Sequence, residues 1–245
     1  MRFVAAVTFA ARHLFPVTPQ SRELRADRED LSHLLADLAS RLPDDIVAEL
    51  AIPSYRHRNP LMRFLVWERL ACALEWLDRL PEPPRVVLDF GCGLGPLFRS
   101  FVRRGFHVIA CDLHTDVARA GARWAGIENI DVVDAASGLG SLPDECVDAA
   151  LALEVLEHVE DVSALGSNFG RVLAPGGRLL CSLPTENLLY RAGRRLAGFS
   201  GHYHVRRSAD IISALAKNLA TRRVARLYPA LPLYDFFECL RREAG

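Results

Sequence analysis

The sequence is nearly devoid of lysine. Of its 30 basic residues only Lys217 is not an arginine, and 30 acidic residues bring the formal net charge to zero. A neutral chain lacks the whole-surface field that grips nucleic acid, so no nucleic-acid partner is expected. Paired cysteines are missing too. The six cysteines (Cys72, Cys92, Cys111, Cys146, Cys181 and Cys239) form no C-x-x-C pair, which argues against a zinc ribbon. They stand in apolar stretches, as reduced and buried thiols of a cytoplasmic protein do. No run reaches the ~18 to 20 apolar residues of a membrane span. The apolar opening "MRFVAAVTFAARHLF" is short and is broken by Arg12 and His13 where a cleavage region would follow, so a signal peptide is not expected. Peripheral contact with a membrane stays open, and the oligomeric state is not legible.

What is present is a large apolar fraction, 50% against 24% charged residues, enough for a sizeable core. Residues 30–42 and 61–80 repeat apolar positions at three and four, the period of a helix. "PEPP" at 81–84 breaks that pattern. Beyond it, β-rich runs at 85–90, 107–112, 130–134, 147–153 and 178–183 alternate with helical segments near 95–104, 114–125 and 160–173. A helix near 208–219 and strands near 221–228 and 234–241 follow. The pattern predicts a doubly wound, Rossmann-like α/β fold: a mostly parallel seven-stranded sheet with helices on both faces and an N-terminal helical extension. Residues 1–84 are expected to pack on the main domain, 85–245, as a cap on the substrate side. The connection 184–207 is too long for an ordinary loop and reads as a lid.

Three glycines crowd the exit of the first strand, in "VVLDFGCGLGP" (86–96). In a doubly wound sheet, ligands bind outside the carboxyl ends of the strands, where this turn lies. The frame is G-x-G-x-G, with Pro96 where a dinucleotide fingerprint places its third glycine, and no G-K-[S/T] follows to make a phosphate loop. Asp112 ends the second strand about as far past the glycines as a ribose-binding carboxylate stands (~20 residues).

The segments "LDFGCGLG", "HVIACD", "IDVVDA", "CVDAALALEVLEHV" and "RVLAPGGRLLCSLP" together resemble, in that order, the motifs of class I methyltransferases. Within that family, "HRNPLMRFLVWERL" (57–70), "LEVLEHVEDV" (153–162) and "GHYHVRRSADIISAL" (201–215) are similar to the ubiquinone-type O-methyltransferases. The resemblance implies S-adenosyl-L-methionine as cofactor, held by Asp89, Gly91, Gly93, Gly95, Asp112 with Leu113, Asp134 with Ala135, and Leu153. It implies that Asp134 accepts from the adenine amino group; Asp89 either caps the glycine turn or, as in this family, faces the methionine end. Methyl transfer to a small-molecule or lipid-like acceptor, at oxygen, is the expected activity. His158, His202 and Tyr203 are the catalytic candidates. Glu154, Glu157 and His158 are spaced to share one helical face, as base, divalent-metal ligands or structural brace; no metal is assigned. Arg191, Arg194 and Arg195 read as a basic face of the lid. The chain departs from the pattern at Met62, which takes the place of a cofactor-contacting arginine, with Arg63 one position late. A nicotinamide-dependent reductase and a non-catalytic methyltransferase-like domain are the alternative readings.

Overall fold

The computed structural model describes residues 18–128, 130–185, 207–227 and 233–242. Among the described residues four helices come first: α1 (Pro19–Arg41), α2 (Asp44–Glu49), α3 (Ile52–Tyr55) and α4 (Pro60–Asp78). The sheet then forms from β1 (Val86–Phe90), β2 (His107–Asp112), β3 (Asp131–Asp134), β4 (Val147–Leu153), β5 (Leu173–Pro184), β6 (Leu219–Leu227) and β7 (Tyr234–Arg241). Its connections hold α5 (Phe98–Arg103), α6 (Thr115–Ala125), α7 (Val162–Val172) and α8 (Ser208–Leu215), with 3-10 turns at Ala135–Ser141 and Leu156–His158.

The strand order is β3-β2-β1-β4-β5-β7-β6, parallel from β3 through β5, with β7 antiparallel to both its neighbours. The expected seven-stranded, mostly parallel, Rossmann-like sheet is what forms. Its central strands are apolar on both faces because both are covered. Val87, Ala149, Leu151 and Leu180 face a core shared with α1, α4, α5 and α6. Leu88, Ala150, Ala152 and Leu179 face a second core shared with α7 and α8. No helix of the described residues is long and apolar enough to cross a membrane.

The helical extension starts at Pro19, well before the period read at 30–42, because Thr18 caps it by accepting from the Ser21 N–H at 3.1 Å. Strand β5 starts at Leu173, not at 178. Leu173 pairs with Val147 and Arg178 with Ala149, so Pro175, Gly176 and Gly177 bulge out within the strand. A Cβ on Gly177 would lie 2.8 Å from Ala174 O and 2.9 Å from Val147 O, which explains the glycine there. The expected lid lies mostly outside the described residues, and with it His202, Tyr203 and the three lid arginines.

Helix α4 is buried on most of its surface and leans on the sheet through Trp76, whose Nε1–H donates to Glu238 Oε1 at 3.0 Å. Glu238 on β7 is fully buried and also accepts from Arg178 on β5 at 3.2 Å and from Arg222 Nε on β6 at 2.9 Å. One carboxylate thus joins a helix and three strands. Deleting it leaves Arg178 and the Trp76 N–H buried without their acceptor, a change that typically costs ~3 to 5 kcal/mol. Glu238→Ala is therefore expected to lower the urea-denaturation midpoint strongly. A midpoint within error of wild type would show that the cluster contributes nothing.

Candidate functional site

The turn after β1 is built of three left-handed residues, Gly91, Gly93 and Gly95, with φ of +73°, +52° and +68°. That region is open to glycine and strained for side chains that would follow. Packing separates their roles. A Cβ on Gly91 would fall 2.3 Å from Val155 Cγ2, and one on Gly95 would fall 2.2 Å from the Phe98 ring. A Cβ on Gly93 meets only Leu50 Cδ2, at 3.7 Å. Gly93 is thus the one glycine of the turn that no neighbour crowds. Sequence reading passed over Gly121, in the middle of α6, although an isolated glycine in a helix is a signal of close approach. A Cβ there would lie 1.8 Å from Leu94 O, so α6 sits directly against the glycine turn.

The turn is tied to β2. Cys111 O accepts from the Gly91 N–H at 2.7 Å, and Asp112 Oδ2 accepts from the Gly93 N–H at 2.7 Å. Asp112 Oδ1 accepts from the His114 N–H at 2.9 Å. Each oxygen keeps a second lone pair for a ligand. Asp134 is the register neighbour of Asp112 at the end of β3, and its Oδ1 accepts from the Ala136 N–H at 2.9 Å. Leu113, 57% exposed, stands after Asp112, and half-buried Ala135 follows Asp134. The N-terminal helices reach the same place: Glu49 lies 3.4 Å from His114 Nε2.

Asp89 is buried in β1 and accepts no hydrogen bond from the described residues. Burial first, and then the negative charge of Asp112, raise its pKa from an ordinary 3.8 to about 7. The thiols beside it are held protonated by burial: Cys92 is pushed well up, and Cys111 to about 12. Neither is a nucleophile at neutral pH.

Strand β4 ends at half-buried Leu153, and Glu154 follows with φ of +57°. The helical face expected of Glu154, Glu157 and His158 does not form, because only Leu156–His158 turn, as a 3-10 helix. Glu157 is buried there and His158 is exposed. Among the described residues no group of three His, Cys, Asp or Glu converges on a metal position. Glu154 instead accepts from Ser182 Oγ at 3.2 Å and faces Arg69 of α4 at 3.8 Å. Arg69, Tyr55 and Tyr234 complete this corner. Arg69 Nη2 is 3.5 Å from the Tyr55 hydroxyl, and its guanidinium lies 5.6 Å from the Tyr234 ring centre. Sequence reading missed all three, since only the fold brings residues 55, 69, 154 and 234 together.

A family model described as a methyltransferase domain matches residues 64–219. The ubiquinone biosynthesis O-methyltransferase of Xylella fastidiosa (strain 9a5c) is 36% identical over 132 residues, 52% of this chain and 52% of that protein. The enzyme of that name from Hahella chejuensis is 33% identical over 164 residues, 64% of this chain and 63% of its own. The chain thus spans less than two thirds of these curated relatives. Magnesium protoporphyrin IX methyltransferase from Synechocystis PCC 6803, solved with bound SAH, shares the fold at a TM-score of 0.60 and 20% identity, over 86% of this chain and 99% of that one. An S-adenosylmethionine dependent methyltransferase from Mesorhizobium loti aligns at 0.55 and 25% identity, over 73% and 100%.

The raised pKa of Asp89 has a signed consequence for stability. Between about pH 4 and about 7 the folded protein holds a proton that the unfolded chain has released. This stability is full below pH ~4, falls as pH rises toward about 7, and is lost above. Chemical denaturation across that range should show a smaller decline in Asp89→Asn than in wild type. Equal slopes in the two proteins would mean that Asp89 is ionised throughout.

Proposed function

The chain belongs to the methyltransferase-domain family, and on that premise we propose that it transfers a methyl group from S-adenosyl-L-methionine to an oxygen of a small-molecule acceptor. The observation that carries this reading is the open left-handed turn at Gly93, with the Asp112 carboxylate beside it. A Cβ at Gly93 would meet nothing closer than Leu50, at 3.7 Å, so packing does not crowd the main chain there. In this reading residues 85–245 form the cofactor-binding domain and 1–84 the acceptor side, reached through Leu50 and Tyr55. The six thiols are unpaired, which suits the reducing cytoplasm.

The residues present fit the cofactor. Asp112 takes the two ribose hydroxyls on the free lone pairs of its oxygens. Leu113 and Ala135 offer apolar surface to the base, and Asp134 accepts from its amino group. Gly93 lets the main chain approach, in a turn shaped by Gly91 and Gly95, while Asp89 and Leu153 face the methionine end. When bound, the cofactor supplies an electrophilic methyl group on a sulfonium. The chain orients the acceptor against it, and such orientation can supply ~7 to 11 kcal/mol of the barrier. It also removes a proton. Of the residues past β4, Glu154 is engaged by Ser182 and faces Arg69, and Glu157 is buried. The exposed imidazole of His158 can exchange protons with solvent, and we assign it as the base. The names of the relatives support oxygen as the acceptor atom.

Calorimetric titration with S-adenosylhomocysteine and with nicotinamide dinucleotides tests the cofactor. Binding of the former alone is expected. Asp112→Ala removes an acceptor whose bonds are worth ~1.5 to 3 kcal/mol each, so affinity should fall about tenfold or more. Gly93→Val should abolish binding. Nicotinamide binding with none of S-adenosylhomocysteine would overturn the reading.

His158→Ala is expected to slow transfer of labelled methyl to an extracted metabolite pool about 10²-fold while leaving cofactor affinity unchanged. Undiminished transfer by a stable variant would remove His158 from the chemistry.

A further inference from the structure

The strand exits at the site turn in different ways, and one of them is strained. After β2 and β3 an aspartate caps its own turn: Asp112 Oδ1 accepts from the His114 N–H and Asp134 Oδ1 from the Ala136 N–H, both at 2.9 Å. After β1 the turn is made by glycine. After β4 it is made by Glu154, a residue with a full side chain at φ of +57°. That conformation is costly for any residue but glycine and persists only where the surroundings enforce it. The Glu154 N–H is held by Ser182 O on β5 at 3.3 Å. The chain changes direction at Glu154, and the next residue, Val155, lies on the exit of β1.

The contact is close. Val155 Cγ2, Cβ and Cγ1 lie 2.3, 2.6 and 3.0 Å from the point where a Cβ on Gly91 would stand. All three carbons of the branch fill space that only a glycine leaves. Gly91 is itself pinned, since its N–H donates to Cys111 O at 2.7 Å. A β-branched side chain is stiff at χ1, so Val155 does not swing aside without moving its backbone. That backbone carries the next turn. Val155 O accepts from the His158 N–H at 3.0 Å, closing the 3-10 turn Leu156–His158. Leu156, fully buried in the second core, holds this turn to the sheet, and Val155 sets it against the glycine turn.

We propose that Val155 is a positioning residue that couples the glycine turn to the turn bearing His158, so that the imidazole takes its place relative to the bound cofactor. The assignment rests on the reading of the chain as a methyltransferase with His158 as its base. It gives one reason for the glycine at 91, the branched side chain at 155 and the strained backbone at 154. Methyl transfer needs acceptor, base and cofactor in line, and a misplacement of about 1 Å can cost ~10²-fold.

The test follows His158 as well as turnover. On wild type and variants, the S-adenosylhomocysteine dissociation constant is measured by calorimetry, together with the melting temperature and transfer of labelled methyl to an extracted metabolite pool. The NMR resonance of the His158 imidazole, identified by its loss in His158→Ala, is recorded with and without S-adenosylhomocysteine. In wild type the ligand should shift that resonance. Val155→Ala should melt close to wild type, bind S-adenosylhomocysteine within about threefold, lose about half or more of the shift, and slow transfer about ten- to a hundredfold. Val155→Thr, which keeps the branched Cβ, should restore both shift and transfer. Should Val155→Ala fail to fold, Val155→Leu, which keeps apolar bulk and moves the branch one carbon out, decides by the same readouts. No shift in wild type, a full shift or undiminished transfer in Val155→Ala, or equal losses of affinity and transfer would each overturn the proposal and leave the methyltransferase reading intact. A wild-type protein that binds no S-adenosylhomocysteine would overturn both.

Discussion

A single carboxylate sets the geometry of the site. Asp112 receives the Gly93 and His114 N–H groups on its two oxygens, and so fixes the turn after β1 to the turn after β2. With the Gly91 N–H on Cys111 O, the two strand exits become one rigid unit. The neighbours are then pressed onto that unit where only glycine leaves room: Val155 on Gly91, Phe98 on Gly95, and Leu94 O on Gly121. The glycine these contacts leave uncrowded is Gly93. The three glycines of one short motif therefore serve different ends. Two admit packing and the third admits a ligand.

The protein treats its buried acids in two ways, and the contrast locates function. Glu238 is surrounded by donors from Trp76, Arg178 and Arg222. A satisfied buried carboxylate of this kind binds elements together and needs nothing further. Asp89 has no donor among the described residues, lies beside a second carboxylate, and holds its proton up to about pH 7. Burying a group so poorly compensated is destabilising, and such groups concentrate where a ligand supplies the missing charge. The adjacent acids Asp89 and Asp112 suit a ligand carrying positive charge.

Much of this was legible in the sequence, and the parts that were not share a cause. Strand periodicity placed β1, β2, β4 and β7 to within a residue, since apolar runs between turn signals are local information. Gly91, Gly93, Gly95, Asp112 and Asp134 could be named because each stands at a strand exit. The spacing of Glu154, Glu157 and His158 misled, because a helical face needs helical φ/ψ, and Glu154 has φ of +57°. The start of β5 was missed because a proline-glycine bulge hides the rung made by Leu173. Arg69, Tyr55 and Tyr234 were invisible for a different reason. Each looks like an ordinary residue of its own element, and only tertiary packing brings the tyrosines to the guanidinium.

The N-terminal helices set how specific the site becomes. Helix α1 docks on the domain by burying Leu24, Leu31 and Leu35, and the ion pairs of its Glu23 and Asp27 with Arg103 and Arg104 orient it. Asp27 is buried and Glu23 and Arg104 are largely so, and these paired charges set the register of a helix whose apolar face is buried. That register carries α2 and α3 over the strand exits, setting Leu50 above Gly93, Glu49 against His114, and Tyr55 against Arg69. The family model begins at residue 64, beyond all three of these contacts. The strand exits that form the floor of the site are thus the shared part of the family, and the wall facing them comes from a segment the family pattern does not describe. A fold that keeps its floor constant and varies that wall can hold one cofactor and change what is brought to it.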